Sequence, residues 1–331
     1  MTSFPVSSSI LSATHLATFI QSRYNLSVNT TCSLLKAGVN HSYLIVDGET
    51  KFIFRVYTLN WRSVTEITEE MKLLNNLKEH GIPVSYPVQD TDDNYIQELS
   101  APEGKRYGVL FSYAPGGKSL SYSTEIHYRV GEAMAKMHLV NHDQHINRVT
   151  YNAAIMLEEA VTRIQPFIDN NADEFVFLEK VKRYLVTQFD ELSTSTLRKG
   201  IVHLDIWYDN MHFDNNGDIT IFDFDFCGNG WLCLDIGYYI MQLHKIEKEE
   251  TEYRLKLKSF LDGYKSITPI SEEEMSAIPL LGMSVFIFFL GIQCNRYENW
   301  SNTFLNEIHV KLFINLLIRR WYNYHQLPEG N

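Results

Sequence analysis

The residues best suited to chemistry lie between Ile201 and Gly237. His203-x-Asp205 is followed, after four further residues, by Asn210, and a short apolar run over 219–222 delivers Asp223 with Asp225 two positions on. An aspartate just after an apolar strand is placed to take a proton from an attacking hydroxyl. An asparagine and an aspartate brought to one end of a hairpin suit a hard cation such as Mg2+, which accepts one or two protein oxygens and fills its other positions with water and phosphate. A base, with an Asn and an Asp on magnesium, is the part set of phosphoryl transfer. Singly, each of these residues reads as a turn cap or a solvated loop residue; order and spacing give the set its meaning.

The elements that must position them are written in the same stretch. Strands over 211–213 and 218–222 flank Asp214-Asn215-Asn216-Gly217, and Asn-Gly followed by Asp between apolar runs signals a tight hairpin. The hairpin holds Asn210 just before one strand and Asp223 just after the other. Asp235 precedes an apolar segment and reads as the cap of the helix that follows.

The string HLDIWYDN with IFDFDF behind it resembles the catalytic and magnesium motifs of the aminoglycoside phosphotransferase and choline kinase superfamily. These are small-molecule kinases with a protein-kinase-like fold, and the wording around Asp223 is most similar to the homoserine kinase type II and stress-response kinase branches. The usual pattern is H-G-D-x-x-x-x-N, then I-D-F or I-D-W, then D-L-A or D-I-A. Here Leu204 replaces the Gly, and Asp235-Ile236-Gly237 stands for the last element.

The resemblance implies an α+β, bilobal fold. A small β-sheet N-lobe with one main helix, residues 1–113, would bind the nucleotide, and a larger, mostly helical C-lobe, 114–331, would carry catalysis and the acceptor. It implies ATP and Mg2+ as cofactors, Asp205 as catalytic base, Asn210 and Asp223 as metal ligands, and His203 as a structural brace of the loop. Arg55, in FIFRVY, stands where the family has a phosphate-touching Lys; a cation between Phe54 and Val56 in an apolar strand needs a partner. Glu70 matches the family's ion-pairing Glu, while Glu66 and Glu69 read as a solvated helix face. GVLFSYAPGG passes from an apolar strand into a Pro-Gly-Gly turn as an interlobe hinge does, which gives the backbone of Ser112, Tyr113 and Ala114 to adenine. Asp225 adds a metal contact or accepts a backbone hydrogen bond.

Periodicity elsewhere predicts a helix over 12–24 with Ser12 as N-cap, strands over 32–35, 42–46, 52–57, 86–89, 95–99 and 107–113, and a helix over 63–80. From 124 onward the pattern is helical, with segments over 128–138, 152–168, 173–192, 234–245, 252–264, 271–294 and 303–324. Strands first and helices after argue for a small α+β lobe leading into a helical one.

A chain of 331 residues, 45% apolar and 21% charged, can bury two cores. The net charge of −11 argues against a nucleic-acid partner. Four cysteines without a C-x-x-C fit a reducing cytoplasm, and MTSFPVSSSI lacks the basic start and apolar run of an export signal. The most apolar stretch, 278–292, is interrupted by Pro279 and Gly282 and reads as a buried helix, short of the about 20 residues a membrane span needs. A metal-hydrolase reading on His203, Asp205, Asp209, His212 and Asp223 has no H-E-x-x-H behind it, and no G-x-S-x-G is present. The expectation is ATP- and Mg2+-dependent phosphoryl transfer to a hydroxyl of a small-molecule acceptor of homoserine, choline, sugar or aminoglycoside type. The alternatives are a Ser/Thr protein kinase of the stress-response type and a catalytically silent nucleotide-binding module, the latter motivated by Arg55 and Leu204. Asn295, Arg296, Tyr297 and Trp300 are candidate acceptor contacts, but their spacing names no ligand.

Overall fold

The computed structural model describes residues 4–118, 121–193 and 196–328. Contacts divide the chain into two compact units, Met1–Pro115 and Gly116–Asn331, two residues beyond the boundary read from the sequence.

The N-terminal unit opens with α1 (Ala13–Tyr24), whose Ser12 cap accepts from the His15 N–H and whose end is marked by Asn25 in the left-handed region, φ 50. Five strands follow: β1 (Thr31–Ala37), β2 (His41–Asp47), β3 (Thr50–Val56), β4 (Ile96–Ala101) and β5 (Gly104–Ser112), with α2 (Val64–Glu79) between β3 and β4. They form one sheet in the order β1-β2-β3-β5-β4, every pairing antiparallel. Strand β2 buries His41, Tyr43 and Ile45 in alternation. With Leu16 and Ile20 of α1, Phe54 and Val56 of β3, Leu99 and Leu110, the tyrosine and isoleucine form the core. Ser63 and Glu66 close a capping box on α2, and Glu69 pairs with Lys72 at 2.8 Å. The strand expected over 86–89 is a single bridge, Pro87 to Phe111, with Val88 donating to the Leu110 carbonyl. The Ser112 N–H donates to the Tyr86 carbonyl on the other side of Pro87, but the Tyr86 N–H goes to Ser112 Oγ and Ser85 Oγ takes the Ser112 carbonyl, so side chains use the groups that would extend the ladder.

In the C-terminal unit, α3 (Thr124–Asn141), α4 (Glu159–Ile164) and α5 (Asp173–Ser193) lead to β6 (Lys199–Val202) and the short strands β7 (Met211–Phe213), β8 (Ile219–Ile221) and β9 (Gly228–Trp231). Then come α6 (Cys233–Ile246), α7 (Glu250–Lys265), α8 (Glu272–Asn295), α9 (Glu307–Phe313) and α10 (Arg320–Tyr324). Two expected helices are composite. The 152–168 segment is a π turn (Ala154–Glu158), α4, and a 3-10 turn at Gln165–Phe167 containing Pro166. The 303–324 segment begins at the end of a 3-10 turn (Ser301–Thr303), resumes as α9 at the Asn306 cap, which accepts from the His309 N–H at 2.9 Å, and passes through a π turn (Ile314–Arg319) into α10.

Helix α8 matches the helix expected over 271–294, and the 278–292 run is buried as expected. That run is the middle of a 24-residue helix, long and apolar enough to cross a membrane, with 78% of its apolar window buried inside the unit. Pro279 is accommodated within it, and its carbonyl accepts from Trp321 Nε1 at 2.8 Å. Helices α6 and α8 meet backbone to backbone: a Cβ at Gly237 would lie 2.8 Å from the Gly282 nitrogen, and one at Gly282 would lie 2.6 Å from the Gly237 carbonyl oxygen. No side chain fits between them, so the glycine pair sets how closely α6 approaches α8. This matters for the site because α6 carries its supports.

Candidate active site

Strands β6 and β9 pair antiparallel, and β6 delivers the chain into 203–210. There the backbone is fixed by a side chain from α6. The His203 N–H donates to Asp235 Oδ2 at 2.9 Å, and the Leu204 N–H donates to Asp235 Oδ1 at 2.6 Å. The same carboxylate lies 3.1 Å from His138 Nε2, and Asp235 is fully buried. Asp235 is therefore not the helix cap expected from the sequence: it lies in the first turn of α6 and binds the preceding loop.

Leu204, where the family pattern has Gly, has φ +66, in the left-handed region that favours glycine. The loop keeps that conformation with a leucine because its side chain is wholly buried. Magnitudes decide which effect wins: left-handed backbone costs a non-glycine residue about 1–2 kcal/mol, whereas removing a buried leucine costs about 2–5 kcal/mol. Leu204→Gly should accordingly destabilise the protein by about 1–3 kcal/mol, read as a lower midpoint in urea. A gain in stability would show that strain dominates at this position.

His203 is completely buried, and its Nδ1 accepts from the Asp205 N–H at 3.2 Å. Its Nε2 is then the protonated nitrogen and donates to the Phe222 carbonyl at 3.1 Å, joining the loop to the hairpin. Burial holds this imidazole below its ordinary pKa and outweighs the opposing charge of Asp235, so the ring stays neutral.

Asp205 is half-buried. Its Oδ2 accepts from Asn210 Nδ2 at 2.8 Å, which also donates to the Asp205 carbonyl at 2.8 Å. Its Oδ1 accepts from the Tyr238 hydroxyl at 2.7 Å, and Gln242 Nε2 donates to that hydroxyl at 2.8 Å. With its amide nitrogen committed, Asn210 presents Oδ1 as its remaining donor atom. Strands β7 and β8 form the expected hairpin, closed by Gly217 at φ 77, and the Phe222 N–H donates to the Asn210 carbonyl at 3.0 Å. That bond brings the residue before Asp223 against Asn210. Asp223 itself is left-handed, φ 66, at the start of the 3-10 turn Phe224–Phe226. Among the described residues no three His, Cys, Asp or Glu side chains cluster as ligands for a metal ion. An Asn oxygen and an Asp carboxylate are the sparse, hard donor set that Mg2+ takes together with phosphate oxygens.

Asp225 is buried, and its carbonyl accepts from Arg148 Nη2. Arg148 Nη1 also reaches the Phe224 carbonyl at 3.4 Å, so one guanidinium fastens the turn after Asp223. Burial holds Arg296 below the ordinary guanidinium pKa, and the charge of Asp225 opposes the shift. Gly117 and Phe213 exchange N–H···O bonds of 3.1 Å, and Gly116, φ +86, lies so close to Phe213 that a Cβ would be 2.0 Å from its carbonyl oxygen.

In the N-terminal unit, Arg55 and Glu70 form an ion pair of 2.9 Å with side-chain exposures of 10% and 1%. Tyr57 donates to the other Glu70 oxygen at 3.1 Å, and the guanidinium lies 4.9 Å from the centre of the Phe111 ring. Arg55 is thus an interior cation on the middle strand of the sheet, not a surface cation on an edge. Of the three hinge positions, Ser112 has its N–H spent on the Tyr86 carbonyl at 2.8 Å, and its carbonyl accepts from Ser85 Oγ at 2.6 Å. The donor expected to face adenine at Ser112 is therefore committed inside the unit. Tyr113 lies 5.5 Å from Lys51 Nζ, measured to the ring centre, and Ala114 is buried.

Asp235 as loop clamp, Tyr238, Gln242 and Arg148 all escaped the sequence reading. The available signal was the polar set Asp235, Tyr238 and Gln242 at helical spacing in an apolar segment; every residue of α6 from Cys233 to His244 is buried, so a carboxylate or amide there needs a partner.

An antiparallel sheet with one main helix, and a helical unit bearing a braced Asp-Asn loop and an acidic hairpin end, define a kinase-like phosphotransferase. Residues 31–268 match the profile of the phosphotransferase enzyme family (APH), and the chain belongs to that family. The chain is 27% identical over 241 residues to the homoserine kinase of Methylobacillus glycogenes, covering 72% of this chain and 71% of that one. Among solved structures, a microcompartment-associated aminopropanol kinase superposes with a TM-score of 0.79 at 20% identity, over 96% of this chain and 99% of that chain. The amicoumacin kinase hAmiN, in complex with AMP-PNP and Ca2+, superposes with a TM-score of 0.75 at 20% identity, over 96% and 94%.

Proposed function

We propose that the protein is an ATP- and Mg2+-dependent kinase that transfers the γ-phosphoryl group to the hydroxyl of a small amine-bearing alcohol, of which homoserine and aminopropanol are the types. The observation that carries the reading is the Asp205–Asn210 pair: one carboxylate aimed by two hydrogen bonds, beside an amide whose oxygen remains for a cation. Homoserine kinases among the relatives, and a structural neighbour that is an aminopropanol kinase, support the acceptor class. A neighbour holding AMP-PNP and Ca2+ supports the use of a nucleotide and a divalent cation.

In this reading Asp205 orients the acceptor hydroxyl and takes its proton as the oxygen attacks the γ-phosphorus; the bond to the β-bridging oxygen breaks and ADP leaves. Asn210 Oδ1 and the Asp223 carboxylate would hold Mg2+, which would supply positive charge against the nucleotide phosphates. Arg55, paired with Glu70, would take the phosphate-touching place of the usual ammonium. The test is ADP release from Mg·ATP with L-homoserine, 1-amino-2-propanol, choline, glucose, kanamycin and a generic protein substrate. Turnover with an amino alcohol or homoserine is expected; turnover confined to the sugar or the protein substrate would contradict the acceptor class.

The Arg55–Glu70 pair makes its own prediction. Arg55→Ala and Glu70→Ala should each lower kcat/KM for ATP by about 10- to 100-fold. The double variant should lose less than the sum, because the residues share one interaction. Glu70→Ala should also destabilise the fold by about 3–5 kcal/mol, since it removes the carboxylate from a buried ion pair. Unchanged ATP affinity and turnover in Arg55→Ala would remove the clamp from the account.

A further inference from the structure

The carboxylate of Asp205 is held by more than its own loop. Asp235, Tyr238 and Gln242 lie along one stripe of α6; the first binds the loop backbone, the second binds Asp205 Oδ1, and the third binds the second. The direction of this chain of hydrogen bonds is dictated by chemistry. An ionised carboxylate only accepts, so the single phenolic proton of Tyr238 goes to Asp205. The phenolic oxygen is then an acceptor, and Gln242 must turn its Nε2 toward it. That orientation leaves Gln242 Oε1 without a hydrogen-bond partner among the described residues, although Gln242 is only 6% exposed. Packing alone would favour an apolar residue at 242, with no orphaned oxygen. Burial, followed by the nearby charge of Asp205, raises the phenol pKa well above its ordinary value, so Tyr238 keeps the proton it donates.

We propose that Tyr238 and Gln242 are positioning residues for phosphoryl transfer: Gln242 fixes the Tyr238 hydroxyl, and that hydroxyl, opposite Asn210, locks the plane of the Asp205 carboxylate toward the acceptor oxygen. Asn210 holds Oδ2 and the Tyr238 hydroxyl holds Oδ1, so the second bond opposes rotation of the carboxylate about χ2. Held at both oxygens, it meets the incoming hydroxyl without swinging. The inference rests on the reading of Asp205 as base.

The experiment uses the full-length chain and the variants Tyr238→Phe, Gln242→Leu, their double, and Asp205→Asn as control. Tyr238→Phe keeps the ring that packs 5.8 Å from Phe286 and 5.3 Å from Phe289, centre to centre, so the fold is retained. ADP release from Mg·ATP is followed with L-homoserine, 1-amino-2-propanol and choline, and with water as the only acceptor; Mg·AMP-PNP affinity is measured by calorimetry. Tyr238→Phe should lower kcat about 10- to 50-fold while the KM for ATP and the AMP-PNP Kd stay within about twofold. Gln242→Leu should lose about threefold, and the double variant should match Tyr238→Phe, because Gln242 acts only through that hydroxyl. Wild-type kcat in Tyr238→Phe beside an inactive Asp205→Asn would overturn the positioning role and leave the base assignment standing. A loss in which nucleotide affinity falls in step with kcat would make Tyr238 a structural residue. A double variant far worse than Tyr238→Phe would end the chain at Tyr238. Normal turnover by Asp205→Asn would bring down the base assignment and the positioning role together.

Discussion

Asp205→Asn is expected to bind Mg·AMP-PNP as the wild type does and to lose about 10³-fold in kcat, equivalent to about 4 kcal/mol of transition-state stabilisation. The amide is nearly isosteric and keeps one oxygen for the Tyr238 hydroxyl, so the loop that Asp235 and His203 hold should survive. What is lost is the capacity to take a proton while the acceptor oxygen attacks, a capacity used in the transition state and not in nucleotide binding. Calorimetry with AMP-PNP and steady-state ADP release on the same preparation check both halves. Near-wild-type turnover by the folded variant would remove Asp205 from the base role.

Asp223→Ala is expected to abolish the magnesium dependence of nucleotide binding, and Asn210→Ala to weaken it. The two differ because they supply different donors. Asp223 brings a formal charge from the end of the β7–β8 hairpin, whereas Asn210 brings a neutral oxygen whose direction is set by the amide's bonds to Asp205. Nucleotide titrations at several Mg2+ concentrations separate the cases: the slope of apparent affinity against metal should vanish for Asp223→Ala and persist, displaced to higher Mg2+, for Asn210→Ala. The same magnesium dependence in wild type and Asp223→Ala would contradict the metal assignment. Asn210→Ala also strips Asp205 of a hydrogen bond, so its kcat should fall further than its metal affinity.

How far the site could be read from the sequence follows from the range of the interactions involved. The β7–β8 hairpin was legible because its signal is local, with apolar alternation on both sides of Asn216-Gly217. Glu70 was chosen over Glu66 and Glu69 because it matches the ion-pairing Glu of the family the motifs resemble, and in the structure Glu66 closes the capping box while Glu70 meets Arg55. Asp235 was misread because its two backbone partners lie far up the chain and on another element; its place before an apolar run carries the same local signature as a cap. Tyr238 and Gln242 were missed because α6 is buried along nearly its whole length, and a helix without a polar face gives periodicity no contrast. Leu204 read as a departure from the Gly of the family pattern, yet its backbone occupies the region that Gly would take. A one-letter difference at a special dihedral says nothing about whether the conformation is kept. The strand expected over 86–89 pairs only around Pro87, because the side chains of Ser112 and Ser85 take the backbone groups that a longer ladder would use, which no local pattern announces.

The central claim is that this constellation passes a phosphoryl group from ATP to the hydroxyl of a small amine-bearing molecule. Phosphorus NMR of Mg·ATP incubated with the protein and L-homoserine, 1-amino-2-propanol or choline tests it most directly, because it reports the fate of the γ-phosphorus itself. The account predicts a phosphomonoester resonance with at least one of these acceptors, growing in equal measure with ADP and absent with Asp205→Asn. ADP accompanied only by inorganic phosphate with every acceptor, or the same phosphomonoester formed at the same rate by Asp205→Asn, would contradict it.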